Sequence, residues 1–250
     1  MGTSKGYEMP VGGVWTSVKR NATAFVQNNG SQKITPGSVV NDFLKASQSY
    51  SSQNRSGTKI GGKAKHRWHT AIKAGQGIAS FLSDVNSKGI DYALKEKGLS
   101  YLIGKTSDEI LPALLDALTG PANTLDDSAA RTALSDLYRD LLNDAETTEE
   151  VEKILTKQIN EDGLDLILAM FFAKYAYQMF CQTYYEDWRR KVGIDEAQNS
   201  LLEINSYIHS EVRSRYTRKK TENINWVTKD GSKMVEGIIT DILIIFGVSL

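Results

Sequence analysis

Scarcity is the first informative property of this sequence. One cysteine, Cys181, and three histidines among 250 residues leave no material for a disulfide framework, a multi-cysteine metal cluster or a histidine-rich metal centre. Lys and Arg number 30, and so do Asp and Glu, so there is no net charge and a uniformly basic nucleic-acid binder is excluded. Long apolar runs are missing too. The opening MGTSKGYEMPVGG lacks the apolar core that a secretory signal needs. Leu164 to Phe180 carries Asp165 and Lys174 and falls short of the ~20 residues of a spanning helix. Ile238 to Leu250 is shorter and carries Asp241. Both read as buried helices. The expectation is a cytoplasmic chain with no membrane segment, in which the sequons at Asn21, Asn29 and Asn54 carry no meaning.

What remains is an ordinary globular composition, 40% hydrophobic and 24% charged, in a chain long enough for one large domain or two small ones. The zero net charge hides a polarity. Residues 1 to 75 hold eleven Lys/Arg against two acids, residues 106 to 165 hold fifteen acids against four bases, and residues 211 to 233 hold seven bases against three acids. Such blocks are ordinarily solvated faces; the alternatives are docking of basic onto acidic parts within the chain, or onto partners of opposite sign.

The apolar periodicity is helical throughout, and the sequence predicts an all-α, multi-helix bundle. Residues 1 to 13 hold four glycines and a proline and read as a flexible tail. Trp15, Val18, Ala22 and Phe25 predict a helix over about 14 to 28, and Thr35-Pro36 opens a second. Residues 47 to 63 are Ser/Gly/Lys-rich and read as a mobile basic loop. From Lys65 a small-residue stripe (Ala71, Gly75, Ile78, Ala79) predicts a closely approached helix, followed by a short one at 90 to 97. Thr106 to Glu109 is a capping box, Ala129 to Asn143 is amphipathic, and Thr147 with Glu150 opens the next helix, closed by Asp162-Gly163. Long helices over about 164 to 192 and 195 to 220 follow, then a final one from Lys233 that is apolar nearly all round. The organisation read from this is a tail (1–13), a basic helical region (14–104) and a helical body (105–250).

Candidate chemistry is thin. Gly57 to Ala64 fits GxxxxGK, but Ala64 stands where a phosphate loop needs Ser or Thr, and polar SSQNRS precedes it instead of a strand. His66 and His69 share a helix face yet lack a third ligand and sit between Lys65 and Arg67. Cys181 lies among aromatics as a buried thiol, its one nucleophilic alternative being a pair with His209 from the following helix. Phe171 to Trp188 carries aromatics at core spacing. Arg213, Arg215, Arg218, Lys219 and Lys220, interleaved with Tyr216, together with the basic stretch 55 to 73, form the best candidate for nucleic-acid contact. No catalytic residue, metal or cofactor is assigned.

The N-terminus offers one more group. Gly2 follows Met1, and a small second residue permits removal of the methionine, exposing an α-amine of pKa about 7.7–8.0 that is nucleophilic near neutral pH. The myristoylation pattern fails because Gly6 stands at its Ser/Thr position.

The strings MGTSKGY, GGKAKHRWHTAIKAGQGIASFL and KGLSYLIGKTSDEILPALLDALTGPANTLDDSAARTALSDLYRDLL resemble the QatB family, components of bacterial Qat anti-phage islands. The likeness spans residues 1 to 145, with the later helices matching in general character. This chain departs from the relatives' Gly/Pro-rich run by moving directly to VWTSVKR. The resemblance implies a non-enzymatic adaptor beside an ATPase, a QueC-like enzyme and a TatD-like nuclease. It also implies that Gly2 is the acceptor for a deazaguanine joined by the QueC-like partner, with Thr3, Ser4 and Lys5 as its recognition context. The alternative from the residues alone is a nucleic-acid-sensing module using 55–73 and 213–220.

Overall fold

Helix after helix opens on the same reciprocal bond, a hydroxyl at the cap position and an oxygen three residues on. The computed structural model describes residues 12–27, 34–53, 68–142, 145–219 and 224–248. Helix α1 spans Gly13–Gln27 and α2 spans Pro36–Gln53. At the start of α2 the Thr35 amide donates to Ser38 Oγ and the Ser38 amide donates to Thr35 Oγ1, both at 3.2 Å. Then come α3 (His69–Lys88), α4 (Ile90–Glu96), a 3₁₀ turn at Ser100–Leu102, and α5 (Ser107–Thr119), whose capping box joins the Thr106 amide to Glu109 at 3.1 Å. Helix α6 spans Leu125–Leu142 and is boxed by Thr124 and Asp127 at 3.0 and 3.1 Å. Helix α7 spans Thr148–Asp162 and is boxed by Thr147 and Glu150, both at 3.2 Å. Each box satisfies amide groups that the first turn leaves without partners. Helices α8 (Leu164–Val192), α9 (Ile194–Arg215) and α10 (Lys229–Ile245) complete the chain. The described residues contain no strand, so the fold is an all-α multi-helix bundle.

Helix α8 is the axis. Helices α1, α3, α6, α7, α9 and α10 all pack on it. The aromatics that the sequence places at core spacing run along it: Phe43 of α2 meets Phe180 at 5.1 Å, Phe180 meets Tyr184 at 4.6 Å, and Trp188 meets Phe25 of α1 at 6.0 Å. Such contacts stabilise by area and by edge-to-face geometry. Among the described residues α8 is also the one helix long and apolar enough to cross a membrane, yet 67% of its most apolar window is buried inside the bundle. One apolar cluster runs from Trp15 to Val248. The small-residue stripe of α3 does what its pattern predicts. A Cβ on Gly75 would stand 2.8 Å from Phe172 and 3.2 Å from Val235, so α8 and α10 close on α3 at that glycine.

Several boundaries differ from the sequence expectation. Helix α2 runs on to Gln53, through the start of the stretch read as a loop, and Ser47 is buried in it. Residues 54 to 63 of that stretch lie outside the described residues. Helix α9 stops at Arg215, because Tyr216 turns to extended backbone and buries its ring. Lys219 is therefore not helical, and Lys220 lies outside the described residues. Helix α6 begins four residues early, at its Thr124–Asp127 box. Helix α10 begins at Lys229, after the Thr228 cap, and is amphipathic rather than apolar all round: Val235, Ile238, Ile239, Ile242 and Leu243 are buried while Ile244 is exposed.

The first turn of α10 generates a stability test. A Cβ on Gly231 would meet the Trp226 backbone at 2.4 Å, whereas one on Gly13 meets nothing within 4 Å. Gly231→Ala is expected to lower stability by about 1–3 kcal/mol, and Gly13→Ala to change it by no more than about 0.5 kcal/mol. Urea midpoints at unchanged slope measure both.

Candidate functional site

Three groups of residues bear on function. The first is the point where the N-terminal segment joins the body. Gly2, Thr3, Ser4 and Lys5 lie outside the described residues, which begin at Gly12. Gly12, Gly13 and Val14 are exposed, and Thr16 Oγ1 donates to the Gly12 carbonyl at 3.3 Å, closing the first turn of α1. The segment therefore leaves from an exposed helix end. Ten peptide links join Gly2 to Gly12, and covalent geometry lets them reach at most about 35 Å.

The second group is the cation run after the middle of α9. Arg213 stands 3.8 Å from Asp162, and Arg215 pairs with Glu211 at 2.7 Å. Arg218 donates to the Glu161 carbonyl at 3.1 Å, in the last turn of α7. Lys219 sends its amide to Asp165 and its ammonium to Asp241 of α10, 2.7 Å away. Each described cation of the run thus faces an oxygen of this chain. In the other basic stretch, residues 55 to 67, including His66 and the Gly57–Ala64 string, lie outside the described residues. His69 is the exposed first residue of α3, and Lys73 is exposed on the same helix.

The third group is a polar cluster where α6 and α9 flank α8. Lys174, buried on α8, meets Asp140 at 2.6 Å, and Gln178 donates to Asp136 at 2.9 Å. Burial pushes the Cys181 thiol up to about 11, against the opposing effect of a hydrogen bond with Tyr177. Burial and the Lys174 charge push His209 down to about 4, opposed by Asp140 and Asp136. A Cys–His nucleophile needs the reverse of both shifts, thiolate and imidazolium, so proton transfer between these two groups runs strongly uphill. Cys181, expected from the sequence to be buried, is half-buried against the core, and its thiol stays protonated. Among the described residues, no group of three or more His, Cys, Asp or Glu side chains is arranged to hold a metal.

Sequence reasoning located these residues without their partners. Asp136, Asp140, Asp165 and Asp241 read only as members of charge blocks or as interruptions of apolar runs, and Asp162 as part of a helix stop. The helical spacing of Asp136 and Asp140, four residues apart, was the available signal for the cluster.

The family model for QatB, described as Qat anti-phage system associated protein, matches residues 61–246. The match takes in α3 to α10, including the C-terminal helices that the sequence reading placed outside the specific likeness, and it begins after the N-terminal segment and α1 and α2. No curated protein and no solved structure matches the chain.

His209 supplies a pH test of the cluster. Its folded value, about 4, lies below the ordinary 6.5, so the unfolded chain binds the extra proton between those limits. The stabilisation is complete above pH ~6.5, falls as pH drops, and levels off below ~4. His209→Gln is expected to remove about 1–2 kcal/mol of that acid-side loss, allowing for partial solvent screening. Urea midpoints at pH 7 and 4.5 measure it, and an unchanged difference between the two pH values contradicts the assignment.

Proposed function

The chain belongs to the QatB family and is a component of an anti-phage defence system; we propose that within it this chain is a non-catalytic adaptor whose Gly2 amine accepts a deazaguanine carboxylate. A QueC-like partner in the cytoplasm supplies the catalysis. The observation that carries this is the opening Met1-Gly2-Thr3-Ser4-Lys5, joined to an exposed end of α1 rather than to a buried one. The protonated, half-buried thiol and the ion-paired cations of the body support the same division of labour, with chemistry on the partner and the nucleophile on this chain.

The partner joins the deazaguanine carboxylate to AMP from ATP, releasing pyrophosphate. The deprotonated Gly2 nitrogen attacks the acyl carbon, the acyl–phosphate C–O bond breaks, AMP leaves with that electron pair, and the nitrogen gives up its remaining surplus proton to solvent or a partner base. The product is an amide. An amine with pKa near 8 is partly unprotonated at neutral pH, so the acceptor needs little activation. Thr3, Ser4 and Lys5 enter the partner's site with Gly2. The ATPase and the TatD-like nuclease are the further partners of this reading.

Co-expression with the QueC-like partner is expected to raise the mass of the first tryptic peptide, Gly2 to Lys5, by one deazaguanine acyl group. Omission of the partner is expected to leave that peptide unmodified. An unmodified peptide in both preparations contradicts the acceptor role.

A further inference from the structure

After α9 ends, four residues do an unusual amount of joining. Tyr216 is buried, its amide closing α9 on Val212 at 2.9 Å. Arg218 reaches across to the last turn of α7, where carbonyls lack helical partners, and donates to Glu161. Its guanidinium occupies the space beside Gly163, the residue between α7 and α8. A Cβ there would fall 2.4 Å from Arg218 Nη2 and 2.8 Å from Asp165 Oδ1. Gly163 has φ +83, so it is glycine for two reasons, its left-handed backbone and the guanidinium against it. Asp165, 1% exposed in the first turn of α8, accepts the Lys219 amide. The Lys219 side chain then passes over Gly237 of α10, 3.7 Å from where a Cβ would be, to reach Asp241 at 2.7 Å. Burial above all, and then the charges of Asp165 and Asp241, push the Tyr216 hydroxyl well above its ordinary value.

We propose that Tyr216–Lys219 is a charge latch that fastens α10 to the α7–α8 junction, making the C-terminal helix a separately opening arm rather than a uniform part of the bundle. The apolar face of α10 keeps it closed at rest, and the latch sets how often it opens. Opening uncovers the strip around Gly75 and Phe172 on which Val235 sits. Arg218 and Lys219 are accordingly positioning residues for α10. Partly exposed ion pairs weaken with salt, and the Lys219–Asp241 pair is about one-third exposed on each side. The latch therefore responds to ionic strength in a way that apolar packing does not. This assignment is independent of the acceptor role of Gly2.

Amide hydrogen exchange of the full chain, followed by mass spectrometry without nucleic acid, tests it. In R218A/K219A, exchange across Val235–Leu243 is expected to rise about tenfold while α3 to α6 stay as in the unaltered protein, as loss of one partly exposed ion pair and one charged hydrogen bond implies. Asp241→Asn, a milder change, is expected to give a smaller rise confined to the same peptides. Raising salt from 50 mM to 1 M is expected to accelerate α10 in the unaltered protein and to have little further effect in the double variant. Equal α10 protection in variant and unaltered protein overturns the proposal, as does acceleration spread evenly over all helices.

Discussion

Everything in this fold follows from the burial of one helix. Helix α8 carries apolar or aromatic side chains on most of its circumference, and in water such a helix is stable only when other elements wrap it. Helices drawn from the start, middle and end of the chain do so. Its two buried charges lie where another element can answer them. Asp165 sits in the first turn, where the helix dipole favours an anion, and takes an amide from the strap after α9. Lys174 faces Asp140 of α6. Removing either partner would leave a charge in a low-dielectric site, so these contacts set the register in which α6 and the C-terminal strap settle on the axis.

The helices themselves were largely legible in the sequence because their start signals are local. Thr35, Thr106 and Thr147 announce caps, and the Trp15–Phe25 and Ala71–Ala79 spacings announce faces. What could not be read is what tertiary packing decides. Ser47 looks like loop by composition, yet α2 carries it inward beside Phe43 and Trp68, and burial outweighs its weak propensity. The run Arg213–Lys219 looks like a continuing basic helix, and only the burial of Tyr216 ends it. The last helix reads as opening at Lys233, yet it begins at Lys229, where Gly231 lets the Trp226 backbone lie against its first turn.

The same limit governs the candidate sites. Composition shows the cation run, but apart from Glu211, one turn from Arg215, the oxygens that meet its side chains lie on Glu161, Asp162 and Asp241, and no periodicity relates residues that far apart. The absence of net charge acquires a structural meaning at this point. Basic side chains of the C-terminal block meet acids from the middle of the chain and from α10, so part of the zero is made by contacts inside the fold. In the polar cluster, burial moves Cys181 and His209 away from the protonation states of a nucleophilic pair. A body of this kind is suited to holding surfaces in place, and in the proposed reading the reactive group is the Gly2 amine.

The most direct test of that account is a phage-plating assay in cells carrying the complete island with Gly2→Pro in this chain. Proline still permits methionine removal but replaces the primary amine with a hindered secondary one, and it lies ten residues from the described fold, so helicity and urea midpoint should be unchanged. The account predicts loss of protection with an intact fold; full protection by the Gly2→Pro protein would contradict it.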